Sequence, residues 1–261
     1  MFGRVDRNHR RSRHRFLPWL GLLLMILSLV WSQLSPRVAE PIREVEAPPA
    51  PEGPFALVVL DPGHGGQDSG TIKNNLAEKD LTLDVALRVN RLLQLQGINI
   101  LFTRVDDRYV SLVDRAALAN AQPNCVFVSI HFDAAKPEAT GVETYYATHQ
   151  IPWLPFLQPA ALESLNKESQ SLASIIQESL AARTQAVNRG TSLQQFFVIT
   201  NVRHPAVLVE GGFLTNANDL NKLASEDYRE QIAVAISDGV IRYRENLQQQ
   251  QTPLVLDLPD K

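Results

Sequence analysis

Three short runs of almost unbroken apolar residues constrain this chain most: Ala56–Leu60 (ALVVL), Cys125–Ile130 (CVFVSI) and Ala206–Val209 (AVLV). A strand with one wet face alternates apolar and polar residues, so a continuous apolar run marks a strand covered on both faces. Helical stripes separate the runs. Leu81, Val85, Val89 and Leu92 recur at helical spacing before the stop signal Gly97. Leu172, Ile175, Ile176 and Leu180 mark a second helix, and Ile232, Ile236, Val240 and Tyr243 stripe a last one after Ser225. Ser111 with Asp114 opens a short helix through Ala121. Ile98–Thr103, Gly141–Ala147 (near a sheet edge) and Phe196–Ile199 read as further strands. Strands alternating with helices predict a three-layer α/β domain whose central sheet is largely parallel and flanked by helices.

Ahead of this body the chain changes character. Residues 1–34 hold six Arg and one Asp, while the remainder has 19 basic against 27 acidic residues. An acidic body argues against a nucleic-acid partner held through phosphates. Residues 1–15 form a basic segment expected to stay cytoplasmic, and 16–34 run for 19 residues without a formal charge. At helical rise that run covers roughly 28 Å, about the hydrocarbon thickness of a bilayer. The expectation is a transmembrane anchor with the amino terminus inside, or a cleaved signal segment, and either exports the body. Residues 35–54 carry six of the sixteen prolines and read as a semi-rigid linker. The folded domain is expected over 55–247, with 248–261 a frayed tail. A single cysteine, Cys125, excludes an internal disulfide and a cysteine-built metal site.

Ligands of open α/β sheets gather beyond the carboxyl ends of strands. Each buried run here ends in ionisable residues: Asp61-Pro62-Gly63-His64-Gly65-Gly66, His131-Phe132-Asp133 and Glu210-Gly211-Gly212. The Gly63–Gly70 loop matches neither dinucleotide nor P-loop spacing. Two His with one or two Glu at separate element ends do suit a catalytic zinc, which takes three N/O protein ligands and leaves a position for water. Glu78, at the start of the 78–96 helix, is the natural third ligand. Its competing role is a capping box with Asn75. His64 also reads as an exposed turn residue, and Glu210 as a carboxylate salt-bridged to Arg189 or Arg203.

Taken in order, Leu60-Asp61-Pro62-Gly63-His64-Gly65-Gly66, Glu78-Lys79, Thr103-Arg104, Ser129-Ile130-His131 and Val209-Glu210-Gly211-Gly212-Phe213-Leu214-Thr215-Asn216 resemble the zinc-dependent N-acetylmuramoyl-L-alanine amidases of the Amidase_3 type. Leu112-x-x-Arg115, Gly141-Val142-Glu143-Thr144-Tyr145-Tyr146 and Asn188-Arg189-Gly190 agree, and the likeness spans roughly 57–245. The resemblance implies a mixed α/β sheet and one zinc ion held by His64, Glu78 and His131. It implies Glu210 as the catalytic carboxylate and peptidoglycan as the substrate, cut between N-acetylmuramic acid and L-alanine. Glu210 would then shuttle a proton from water to the departing amine, a task suited to a partly desolvated carboxylate. Asp61 or Glu143 is expected to accept the second ring N–H of the ligating histidines. Asp133 departs from the family's usual Asn and would add negative charge near the metal.

Two alternatives stay open at this level: a catalytically silent or activator-dependent binder of peptidoglycan, and a stem-peptide peptidase of similar fold. Ile151–Leu157, broken by two prolines, is expected to pack on the core and not to form a plug helix over the site. A protein activator is left unidentified. His149 and His204 are the remaining body histidines; His204 is expected in a surface loop, and Cys125 as a buried strand residue.

Overall fold

A computed structural model describes residues 25, 53–55, 57–132, 136, 138–149 and 159–251. The chain divides into two units, Met1–Pro48 and Pro49–Lys261, and the elements of the fold lie in the second. Residues 16–34, apart from Met25, lie outside the described residues, as do Asp133, Ile151–Leu157 and 252–261. Among the described residues no helix is long and apolar enough to cross a membrane.

The strands are β1 (Leu57–Pro62), β2 (Ile72–Lys73), β3 (Leu76–Ala77), β4 (Asn99–Phe102), β5 (Cys125–His131), β6 (Val142–Tyr146), β7 (Asn188–Leu193) and β8 (Ala206–Glu210). The helices are α1 (Glu78–Gln94), α2 (Leu112–Asn120), α3 (Pro159–Thr184), α4 (Phe197–Thr200), α5 (Ala217–Leu223) and α6 (Glu226–Gln251). Six strands form one sheet in the order β4-β1-β5-β8-β6-β7, and β2 pairs with β3 in a separate hairpin. Neighbouring strands from β4 to β8 run parallel; β6 is antiparallel to β8, and β7 follows β6 in parallel. The sheet is therefore mixed and largely parallel, as expected.

Pleating sends alternate side chains into two cores. Val58, Leu60, Val126, Val128, Ile130 and Val209 pack with the apolar stripes of α1, α3 and α6, including Val85, Val89, Leu172, Ile176 and Ile236. Val59, Cys125, Phe127 and Leu208 face the other way, onto Ala116 and Ala119 of α2 and Val198 and Ile199 of α4. These are the three layers. Both faces of the central strands are dry, which is why their sequences show no alternation.

Helix boundaries follow their caps. Ser111 Oγ accepts from Asp114 N at 3.1 Å and so caps α2, satisfying a backbone donor that the first turn leaves open. After α1, Gly97 N donates to Gln94 O and Ile98 N to Leu93 O, with Gly97 at φ +68°. The domain begins before its first strand, because Phe55 is buried against Tyr243 with ring centroids 6.3 Å apart.

Four details differ from expectation. Phe196–Ile199 is not a strand: residues 197–200 form the short helix α4, in which Ile199 N and Thr200 N both return to Phe196 O. A four-residue apolar run carries no periodicity long enough to separate the two states. The edge beyond β6 is β7, whose polar sequence NRGTSL gives little strand signal. Residues 217–223 form α5, capped by Asn216. Gln248–Gln251 continue α6 and are not coil, glutamine being a good helix former.

Cys125 is fully buried beneath α2, and burial pushes its thiol up to about 12. The thiol is therefore expected to resist alkylation at pH 8 in the native protein and to react at the rate of a free thiol once the protein is unfolded in urea. Equal labelling rates in both states would contradict the packing described.

Candidate metal centre and cleft

The carboxyl ends of β1, β5 and β8 meet at one edge of the sheet. Pro62 pairs with Ile130, and His131 pairs with Glu210. Because β6 runs antiparallel to β8, its beginning lies at this same end, with Glu143 opposite Glu210. Residues paired across a ladder share a face. His131, Glu210 and Glu143 thus stand in one row across three strands, on the face that α2 and α4 cover.

His64 comes from the loop that follows β1. Its backbone is left-handed at φ +63°, a conformation that costs a non-glycine residue roughly 1–2 kcal/mol. Two buried arginines hold the loop in place. Arg115 Nη1 pairs with Asp61 Oδ1 at 2.6 Å and donates to Pro62 O at 2.7 Å, while its Nη2 donates to His64 O at 2.6 Å. Arg104 donates through Nε to Pro62 O at 3.0 Å and through Nη2 to Gly63 O at 2.8 Å and Lys79 O at 2.7 Å. Burial, and then the neighbouring Arg115, pull the Arg104 guanidinium below its ordinary pKa. Lys79 Nζ ties the loop further, reaching Gly66 O at 3.0 Å and Asp107 Oδ2 at 2.7 Å.

Glu78 is the centre of the cluster. Its Oε1 lies 3.1 Å from His64 Nε2 and 3.0 Å from His131 Nδ1, and accepts from Phe132 N at 3.1 Å. Its Oε2 accepts from Thr71 N at 2.9 Å. The side chain is only 3 % exposed. Burial alone would raise the Glu78 carboxyl, yet the bonds from His131 and His64 outweigh it and hold it far below the usual carboxylate range. Burial pushes His64 down, but Glu78 and Asp68 more than offset it and leave the imidazole above its ordinary value. One donor atom from each of His64, Glu78 and His131 lies within 4.8 Å of the others. Two imidazoles and a carboxylate brought together in this way could hold a metal ion, and nitrogen and oxygen donors of this kind suit zinc.

Glycine makes room for this convergence at two positions. A Cβ on Gly63 would fall 2.3 Å from the His131 ring. On Gly70, at φ +60°, it would fall 2.6 Å from both Glu78 Oε2 and His64 Cδ2. The glycine-rich loop is a cradle for side chains, not for phosphate.

The model of the Amidase_3 family, described as N-acetylmuramoyl-L-alanine amidase, matches residues 58–242. The chain belongs to this family. It is 36 % identical over 225 residues to the uncharacterized protein YqiI of Bacillus subtilis, covering 86 % of this chain and 97 % of that one. It is 38 % identical over 187 residues to the amidase LytC of the same organism, covering 71 % of this chain but 35 % of LytC. Among solved structures, an N-acetylmuramoyl-L-alanine amidase from Clostridium difficile 630 superposes with a TM-score of 0.64 at 35 % identity, covering 74 % of this chain and 98 % of that one. The CwlD amidase from Clostridioides difficile, solved in complex with the GerS lipoprotein, gives a TM-score of 0.64 at 27 % identity, covering 73 % of this chain and 98 % of that one.

In this amidase the four residues singled out from sequence lie at one end of the sheet: His64, Glu78 and His131 in contact, and Glu210 one strand over from His131. Glu78 is no capping-box residue. Asn74 and Asn75, both at positive φ, form the turn between β2 and β3, and Ala77, the N-cap of α1, makes no side-chain cap. The acceptor beside His64 is neither Asp61 nor Glu143. Asp68 Oδ2 sits 2.9 Å from His64 Nδ1, at ion-pair distance but without hydrogen-bond alignment. Asp61 is committed to Arg115, Thr103 and Ser129, and Glu143 to Arg189 and Ser192. Sequence reasoning passed over Asp68, although its place four residues after His64 was a usable signal. His149 is buried, its Nε2 2.6 Å from Val202 O and its Nδ1 3.1 Å from Asn166 Oδ1. His204 is half-buried ahead of β8, at the opposite end of that strand from Glu210.

Arg115 and Asp61 are 3 % and 1 % exposed. Removing one partner of such a pair strands a buried charge, at a cost of about 3–5 kcal/mol. Arg115→Leu is accordingly expected to lower the free energy of unfolding by about that much in urea titrations. A loss under about 1 kcal/mol, the range of an exposed ion pair, would contradict the clamp.

Proposed function

We propose that this amidase works through one zinc ion held by His64, Glu78 and His131, with Glu210 as the proton-transferring carboxylate. The supporting observation is the convergence of His64 Nε2 and His131 Nδ1 on one oxygen of buried Glu78. Zinc bound there would polarise the scissile carbonyl and acidify water. The substrate is the peptidoglycan strand with its stem peptide, and the bond cut joins the lactyl group of N-acetylmuramic acid to L-alanine. Glu210, 3 % exposed and paired with His131 across β5 and β8, removes a proton from the attacking water. It returns that proton to the L-alanine nitrogen as the C–N bond breaks, while oxygen remains on the lactyl carbon. Gly63 and Gly70 keep the histidine and carboxylate ligands in register, and Asp68 steadies the His64 ring.

The catalytic domain is assigned to 55–247, extended by the last turn of α6 to Gln251. Residues 1–15, 16–34 and 35–54 are read as a basic cytoplasmic segment, an anchor or signal segment, and a spacer that holds the domain outside the cytoplasm. The charge pattern and apolar run of the sequence support this reading. Extracytoplasmic action also suits the cell-wall setting of amidase relatives such as LytH of Staphylococcus epidermidis, named a probable cell wall amidase. A protein partner for this chain would parallel the lipoprotein complex of CwlD.

Mass spectrometry of fragments released from purified peptidoglycan tests the reaction. The expected products are intact stem peptides with a free L-alanine amino terminus. Glu210→Gln is expected to lose about a hundredfold or more in rate, within the range for a general acid–base group, and to retain zinc. His64→Ala and His131→Ala are expected to lose both zinc and activity. Chelation should abolish activity, and added zinc should restore it. Cleavage inside the stem would identify a peptidase, and zinc-loaded protein that releases nothing would identify a binder.

A further inference from the structure

Arg189 occupies an irregular point of the sheet. Along β6 and β7, Val142 pairs with Asn188 but Thr144 pairs with Thr191, so two residues, Arg189 and Gly190, stand opposite Glu143. Such a bulge re-aims a side chain and is common beside active sites. This one is built in. Gly190 takes φ +80°, and Asn188 Oδ1 accepts from Gly190 N at 2.9 Å and from buried Gln177 Nε2 at 2.7 Å. The Arg189 side chain folds back over the sheet. Its Nε donates to Glu143 Oε2 at 2.8 Å, and its guanidinium lies 5.0 Å from the centroid of the Phe213 ring. Ser192 Oγ holds the other oxygen of Glu143 at 2.7 Å.

Glu143 is the ladder partner of Glu210, and Phe213 follows Glu210 by three residues. The guanidinium is therefore fixed on two sides by groups that flank Glu210. Its side chain is 36 % exposed, whereas that of Glu143 is 8 %. Among the described residues, Nε is the only side-chain donor of Arg189 with a hydrogen-bond acceptor. The Nη pair remains as a partly exposed planar fork beside Glu143 and Phe213, suited to bidentate capture of a carboxylate.

We infer that Arg189 is a specificity-determining residue that binds a free carboxylate on the peptide side of the scissile amide. Glu143 and Phe213 act as its positioning residues. The inference rests on the amidase reading of the same cleft. Where the residue after L-alanine is a glutamate linked onward through its γ-carboxyl, the nearest such group in the stem peptide is that residue's α-carboxylate. Chains in which that group is a carboxamide lose the charge while keeping the shape.

The test compares N-acetylmuramoyl-L-Ala-D-Glu with its D-isoglutamine counterpart, the γ-carboxyl of each capped as a methylamide, so that the pair differs only in an α-carboxylate against a carboxamide. With the zinc-loaded full chain, KM is expected to be about tenfold or more lower for the free acid, the scale of one charge-assisted bidentate contact, and kcat to be similar. Arg189→Gln should bring the KM for the acid up to that for the amide, abolishing the difference between the two ligands. Arg189→Lys should restore only part of the preference, because an ammonium lacks the fork. Binding of both ligands to zinc-loaded Glu210→Gln, read by calorimetry, separates this inference from the reading beneath it. Wild-type protein that cleaves neither ligand while Glu210→Gln still prefers the acid would overturn the amidase reading alone. Equal KM for acid and amide, or a preference that survives Arg189→Gln, would overturn the role of Arg189. A merely structural arginine would weaken both ligands alike.

Discussion

Two buried guanidinium groups carry the architecture of this cleft. The loop after β1 must deliver His64 in a left-handed conformation, beside glycines that offer no side-chain packing of their own. Left to itself such a loop would sample many states. Arg115 and Arg104 remove that freedom by donating to three successive carbonyls, those of Pro62, Gly63 and His64. Asp61, held by Arg115, Thr103 and Ser129, neutralises the first guanidinium where water cannot. Arg104 also reaches Lys79 O, beside Glu78, and so fixes the distance between the loop and the amino end of α1. The two elements that supply His64 and Glu78 are joined before any metal arrives. Little reorganisation is then left for binding to impose.

The sheet supplies the rest. Parallel strands bring the carboxyl ends of β1, β5 and β8 to one edge, and the antiparallel turn of β6 adds its own beginning to that edge. Ladder register does the fine placement, setting His131, Glu210 and Glu143 abreast at strand spacing. The bulge in β7 then lets an edge-strand arginine reach over the same row. A rigid, doubly covered sheet positions the chemistry, and loops and an irregular edge adapt it to a substrate.

Much of this was legible in the sequence because burial on both faces leaves a direct trace. The runs ending at Leu60, Ile130 and Val209 marked the central strands, and the ionisable residues after them marked the site. Helical stripes from Leu81 and Ile232 located two of the packing helices. What escaped was set by tertiary contacts. The turn at Phe197–Thr200 and the polar edge strand at Asn188–Leu193 have no local pattern that outweighs their neighbours. Glu78 was legible as a ligand, and its competing role as a capping residue arose only because Asn75 stands three positions earlier; the hairpin turn absorbs that asparagine. Asp61 looked like a partner for a histidine because a strand-end carboxylate can serve either a metal site or a buried arginine. Only the fold brings Arg115, fifty-four residues on, against it.

X-ray absorption at the zinc edge of the purified, zinc-loaded protein tests the central claim most directly. The account predicts a four-coordinate site with two imidazole nitrogens and oxygen donors at about 2.0–2.2 Å. It also predicts that the signature of one imidazole disappears in His64→Ala. A sulfur ligand, or a first shell without two imidazoles, would contradict it.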